Sequence, residues 1–372
     1  MKPISEKQLR REQDEEIQEL HRQLREKDRN FESYKKNRGG LEVFFRQVAD
    51  AISPITPLPQ KYEPTKKRSR ADVCAVNQTS DSHMGAVQIA DEIEGLNEYN
   101  PQICESRNMD FAYKSLRYSE TMRTAYNINE LVWLFTGDLI SGDIHEELRV
   151  TNAFPMPAQV VEAAKLHAKQ VASIAGHFEK VRIEFIVDDN HARLTKKPQA
   201  AEAGYNSMNY LVGVMMKEYL SNHENVEMNI YPMHEKVIDV GTMKYLIMHG
   251  HSIRGWMGVP WYGIERKAGK ESTSRMQAIM RAQDDEVVWR MKELGFHKMV
   301  HGHFHTAFDG PMYSCAGSTQ GTTSYDHNAG RFSPPSQPSW LVGSKGEFAR
   351  TNFQLTHFDQ QQSFADNREK TG

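Results

Sequence analysis

The chain has 372 residues, with 46 Lys and Arg against 49 Asp and Glu and a formal net charge of −3. That balance fits neither a general nucleic-acid coat nor an acidic tail, so any basic binding surface must be local. Its 3 cysteines, Cys74, Cys104 and Cys315, stand far apart with no CxxC pair, which argues against a disulfide framework or a thiolate zinc site and fits a reducing compartment. The amino terminus lacks an apolar h-region and no window of about 18 apolar residues occurs, so the expectation is a soluble, cytoplasmic protein without membrane contact.

Residues 1–40 are dominated by charged and amide side chains, with Ile17, Leu20, Leu24, Phe31 and Tyr34 on a and d positions of a heptad frame broken by Lys27. The spacing predicts one long helix that either lies along its own domain or pairs two copies as a coiled-coil homodimer. Gly39 and Gly40 end it. Residues 41–70 read as a short helix over 41–52, then a proline-rich linker carrying Lys66, Lys67, Arg68 and Arg70, which is either solvated surface or a guide for a polyanion.

From residue 71 to 358 short β-type runs repeatedly give way to polar turns: "DVCAV" before "NQTSDSHMG", "ELVWLF" before "TGDLISGD", "VRIEFIV" before "DDNHAR", "KYLIM" before "HGHS" and "KMV" before "HGHFH". Helical patterns lie between several of them, notably over 157–179 and 207–221, where the methionine-rich stripe reads as core. Strands alternating with helices predict an α/β layered domain whose ligands gather beyond the carboxyl ends of the strands. Residues 359–372 form a polar tail.

The strand ends offer, in chain order, Asp81 and His83, Asp138, Asn190 and His191, His249, then His303 and His305. All are oxygen or imidazole donors, the mixture that Mn²⁺, Fe²⁺, Zn²⁺ and Mg²⁺ accept in open catalytic sites. Extended backbone sends residues i and i+2 the same way, so Asp81 with His83, and His303 with His305, are each expected to present two ligands to one centre.

This series, "DSH", "GD", "NH", "HG" and "GHFH", resembles the calcineurin-like metallophosphoesterases over about residues 72–357. "CAGSTQGTTSY" and "SWLVGSKGEFARTNFQL" resemble that family's returning strands. The resemblance implies a four-layer sandwich, two mixed β-sheets flanked by helices, here with an N-terminal helical extension and a two-metal site at one edge. It implies that Asp81, His83 and His305 hold the first of two divalent ions, Mn²⁺ foremost, that Asp138 bridges both, and that Asn190, His249 and His303 hold the second. His191 is then the catalytic residue beside the scissile phosphate. The sequence departs from the family twice: "GNH" followed by an acid is "DDNHAR" here, with Asp189 for glycine, and Gly142 stands where an acid or histidine is usual. Asp143, Asp188 or Asp189 is therefore expected to orient His191. Of His251 and His301, one is expected to touch phosphate and the other to stand behind the ligands or lie at the surface; Arg193 and Arg254 either neutralise phosphate or form surface ion pairs.

Protein Ser/Thr phosphatases of the family carry "GDxVDRG" and "GNHE", where this chain has "GDLISGD" and "DNHA". It is more similar to the nuclease and phosphodiesterase side, including the nuclease subunit of double-strand-break repair complexes and phage-encoded relatives. The segment over 254–267, "RGWMGVPWYGIERK", suits stacking on bases and contact with phosphates, so nucleic acid is the expected substrate. A small-molecule phosphodiesterase or phosphomonoesterase, and a non-catalytic DNA-binding or assembly subunit, are the alternatives.

Overall fold

A computed structural model describes residue 48 and residues 51–59, 61–62, 70–144, 146–195, 197, 204–254, 259–281, 293–328 and 330–355. The helix expected over 1–40 with its homodimer, most of the segment 41–52, the basic group at 66–68 and the tail 359–372 lie outside these residues. Met1–Ile52 and Ser53–Gly372 are separate compact units, and the account below concerns the second.

Strands β1 (Asp72–Thr79), β2 (Asn127–Phe135), β3 (Lys180–Ile186) and β4 (Val226–Tyr231) run parallel. Antiparallel β10 (Ser336–Gly343) and β11 (Gly346–Gln354) extend this sheet in the order β11-β10-β1-β2-β3-β4. A second mixed sheet has the order β5-β6-β7-β9-β8, from β5 (Glu235–Val240), β6 (Met243–Met248), β7 (Lys298–His301), β8 (Phe308–Asp309) and β9 (Tyr313–Cys315). The architecture is the expected one of two mixed sheets flanked by helices.

Period-2 alternation decides what each face meets. On β2, Val132 and Leu134 join Val76 of β1 and Ile186 of β3 in the core between the sheets, against Ile238, Tyr245, Ile247 and Val300 of the second sheet. Trp133 and Phe135 turn the other way, where Phe111 of α1 (Pro101–Met122) packs on Trp133 at 5.9 Å and His167 of α3 (Met156–Ala175) packs on Phe135 at 5.4 Å. Helix α1 starts where Asn100 accepts a hydrogen bond from the Ile103 amide at 2.9 Å, with Pro101 in the first turn. A short helix α2 (Glu146–Thr151) precedes α3, and α4 (Met208–Tyr219) buries Leu211, Val212, Met215 and Met216 as its stripe predicts.

Two findings differ from the sequence reading. The start of the proline-rich linker is tied to the domain, with Ile55 donating to the Tyr219 carbonyl at 2.8 Å and Tyr62 donating through its hydroxyl to Asn129 at 2.6 Å; proline-rich backbone still has N–H groups that seek acceptors. The 254–267 segment enters α5 (Trp261–Met280), whose Ile264 and Ala268 pack on Leu246 and Met299 of the second sheet. A short α6 (Ser324–Asn328) precedes the return to β10.

At the edge where β1, β2, β3, β6 and β7 end, Gln78 ties the sheets together by donating to Thr136 Oγ1 and to the His301 carbonyl, both at 3.0 Å. The loops that follow those strands meet there.

Candidate metal centre

The loops are residues 80–84, 136–138, 187–191, 249–251 and 302–305. Asp81 and His83 do converge on one donor group, together with His305, whereas His303 joins Asp138 and His249 in another, and the backbone route is not the extended one expected. Among the described residues 7 non-glycine residues have positive φ, and five are Asp81 (54°), His83 (45°), Asp138 (49°), His303 (74°) and His305 (55°). Left-handed backbone costs of order 1–3 kcal/mol at such a residue and persists only where its surroundings hold it. Here the holding bonds are explicit: Asp81 N–H to the Gly137 carbonyl and His83 N–H to the Asp138 carbonyl, both 3.0 Å, and His303 N–H to the Asp81 carboxylate at 3.0 and 3.1 Å. Strain concentrated on the predicted donors is a signal of function that no sequence spacing carries.

The donors form two overlapping sets. On one side the Nε2 atoms of His83 and His305 face each other at 3.1 Å, and His305 Nε2 lies 3.5 Å from Asp81 Oδ1. Two imidazole nitrogens so placed need a shared proton or a cation. On the other side His249 Nε2 lies 3.0 Å from both Asp138 Oδ2 and Asn190 Oδ1, with His303 alongside. Asp138 stands between, its Oδ2 also 4.0 Å from His83 Nε2. The groups Asp81–His83–His305, His83–Asp138–His191 and Asp138–His249–His303 each bring their ligand atoms within 4.8 Å of one another and could hold metal ions.

Charge in the site is balanced by protons. Burial pushes the His249 pKa down, but the Asp138 carboxylate outweighs it and brings it up to about 10. His305 likewise rises to about 10 against burial, through Asp326 and Asp81. Burial holds His83 and His303 well below the usual imidazole range, helped by the neighbouring His191 and His249 respectively. Asp138 stays well below the usual carboxylate range despite burial, because His249 and His191 face it.

The surroundings fix the rings and explain the two departures from the family pattern. His249 donates through Nδ1 to the Thr136 carbonyl at 2.8 Å, which leaves Nε2 aimed at the site. His191 Nδ1 donates to the Ser141 carbonyl at 2.6 Å; this backbone oxygen takes the orienting role expected of Asp143, Asp188 or Asp189. Asp189 instead accepts from the Asp138 and Ala192 amides at 2.9 and 2.8 Å, clamping the second loop to the third. Gly142 has φ of 68°, and a Cβ there would lie 2.0 Å from the His191 carbonyl oxygen, so the larger family residue does not fit.

Other expected residues fall outside the donor sets. His301 is fully buried between Phe304 and Phe308 and packs as core. Arg193 spends its guanidinium on the Asn190 and Thr195 carbonyls at 2.7 and 3.1 Å, bracing the loop rather than facing solvent phosphate. Arg254 is exposed, and Asp143 is half-buried. Lys267, counted in the insert, turns to Glu235 and Glu271 at 3.0 and 2.6 Å. Trp261 covers Phe308 at 4.5 Å, while Tyr262 is 76% exposed. Missed by the sequence reading were Asp326, whose Oδ2 lies 3.5 Å from His305 Nδ1 while Arg331 holds its other oxygen at 3.0 Å, and His234, which meets Asp188. A lone Asp in a short polar helix carries no local mark.

No known family's sequence profile matches the chain, and no curated protein matches it. Among solved structures it is similar to vacuolar protein sorting 29 from Cryptosporidium parvum, with 13% identity over 76% of this chain and 99% of that one and a TM-score of 0.25. It is also similar to a single mutant of the same sorting protein from Entamoeba histolytica, with 11% identity over 75% of this chain and 99% of that one, TM-score 0.24. A third is a conserved uncharacterized protein, predicted phosphoesterase, from Streptococcus pneumoniae, with 9% identity over 52% of this chain and 91% of that one, TM-score 0.24.

Proposed function

We propose that the chain is a calcineurin-like metallophosphoesterase that hydrolyses phosphodiester bonds with two divalent metal ions, acting as a nuclease or DNA-processing phosphodiesterase. The observation that carries this is the position of Asp138, one carboxylate within reach of both the His83 side and the His249 side of the donor cluster. The seven donors, Asp81, His83, Asp138, Asn190, His249, His303 and His305, are the oxygen and imidazole set that Mn²⁺ and related ions take. A cation pair there would supply Lewis acidity to phosphoryl oxygens and acidify an attacking water.

This chain's residues do the rest. Asp138 would offset the repulsion between two cations with one negative charge and two oxygens. Asn190 adds a neutral oxygen, which leaves the second side less anionic. His191, with Nδ1–H bound to Ser141, has its Nε2 3.9 Å from Asp138 Oδ2; as the imidazolium it passes its Nε2 proton to the leaving oxygen and is left as the neutral Nδ1–H ring. The exposed Tyr262, Arg254 and Arg266 support nucleic acid as the substrate, since a base stacks on an aromatic ring and guanidinium groups meet backbone phosphates. Three free, buried thiols support a cytoplasmic setting, and no described helix is long and apolar enough to cross a membrane.

The test is hydrolysis by chelator-stripped protein with Mn²⁺ restored, on bis-p-nitrophenyl phosphate, p-nitrophenyl phosphate, and labelled single- and double-stranded DNA. Cleavage of DNA and the diester is expected. Turnover of a small ester alone would reject the nuclease reading, and silence on every substrate would reject the enzyme. In the same samples Mn²⁺ should raise the unfolding midpoint, because a ligand at about 100 times its dissociation constant stabilises by about 2.7 kcal/mol.

Asp326→Asn is a second test. Removing the charge behind His305 Nδ1 should weaken Mn²⁺ binding by roughly 10–100-fold, and it should also lower the unfolding midpoint of the stripped protein, because Arg331 and His305 lose a buried anion. Calorimetric affinities equal to wild type would remove His305 from the ligand set or Asp326 from its support.

A further inference from the structure

We propose that Asp188, His234 and His251 form a third divalent-cation site at the rim of the centre, apart from the two sets described above. Each comes from a different segment: Asp188 follows β3, His234 lies in the turn between β4 and β5, and His251 follows β6. Their ligand atoms all lie within 4.8 Å of one another. Asp188 Oδ2 is in direct contact with His234 Nδ1 and lies 3.5 Å from His251 Nε2, so two imidazole nitrogens converge on one oxygen of a buried carboxylate.

A purely structural staple would leave a different pattern. Buried histidines that only brace a fold are anchored at both nitrogens or packed in apolar surroundings, yet His251 Nδ1 is buried and has no hydrogen-bond partner among the described residues. The ring lies against those of His249 and His303, 5.7 and 6.4 Å away, and its Nε2 is turned to Asp188 at 3.5 Å, where a cation would sit. His234 is 43% exposed, so the site is reached from solvent and keeps coordination positions for water. Two imidazoles with one carboxylate are the donor set of open zinc sites and suit a borderline divalent ion. The His249 and His251 rings are 5.7 Å apart, which makes this position adjacent to the centre without sharing its donors. A cation there ties the ends of β3 and β6, one from each sheet, to the turn that joins the sheets.

The test uses tag-free, chelator-stripped full-length chain dialysed to equilibrium against Zn²⁺ and read by elemental analysis, comparing wild type with His234→Ala and Asp188→Asn. Each variant should take up one equivalent fewer than wild type, and with Co²⁺ each should lose part of the visible d–d absorption. Circular dichroism should be unchanged for His234→Ala, whose side chain is largely outside the core. Equal uptake by wild type and both variants overturns the site and leaves an Asp–His staple; so does a loss confined to Asp188→Asn, because the cation then does not use His234. The readout is separable from the hydrolase reading: if Asp138→Asn binds as much metal as wild type, the two-metal assignment fails while the His234→Ala deficit stands.

Discussion

Asp138→Asn is expected to lower phosphodiester hydrolysis by about 10³-fold or more while the protein stays folded. Both halves of the expectation follow from what the side chain touches. Oδ1 accepts from the His191 amide at 3.2 Å, and an asparagine oxygen can accept the same bond. Oδ2 faces His249 at 3.0 Å, and an amide nitrogen there can donate to a neutral ring. The isosteric change therefore preserves the loop, but it removes the charge that would hold two cations together and that keeps His249 protonated without them. Activity on bis-p-nitrophenyl phosphate and a thermal melt measure the two halves separately. Near wild-type turnover would sink the two-metal assignment, and an unfolded variant would mean that the charge is needed for the fold itself.

Gly302→Ala should disturb both donor sets with a single methyl group. Gly302 needs no unusual φ; its constraint is space, since a Cβ would lie 1.9 Å from Ser80 Oγ and 2.4 Å from Asp81 Oδ2. The backbone of 302 passes directly over the first loop, so the Asp81 carboxylate must move and release the His303 amide it accepts from at 3.0 and 3.1 Å. One methyl group then displaces donors from both sets. Overpacking of this kind costs about 1–3 kcal/mol, and Mn²⁺ uptake should fall with it. Gly269→Ala is the matched control: a Cβ there meets nothing within 4 Å in the middle of α5, so it should stabilise by roughly 0.5–1 kcal/mol. If Gly302→Ala binds Mn²⁺ like wild type, the close approach at 302 does not govern the site.

The seven donors were legible in the sequence because each sits just beyond an apolar run, and a run of buried strand residues ending in polar donors is local information. The alternation of Val132, Trp133, Leu134 and Phe135 likewise announces a strand buried on both faces. The helix α5 was less legible. Its early aromatics read as an insert suited to nucleic acid, and its stripe of Ile264 and Ala268 is thin, so packing on Leu246 and Met299 was needed to define it.

What the sequence by itself determined was the order of the strands and of the oxygen and imidazole side chains that follow them, because residue type and spacing travel along the chain. Only the tertiary structure decided which backbone atoms lock the rings: Thr136 and Ser141 lend carbonyls 113 and 50 residues away from His249 and His191. It also decided that Asp326 stands behind His305, that Gly142 must be small, and that Asp188 meets His234 and His251. These depend on where separate loops cross in space, and a crossing leaves no mark in the local pattern of either strand.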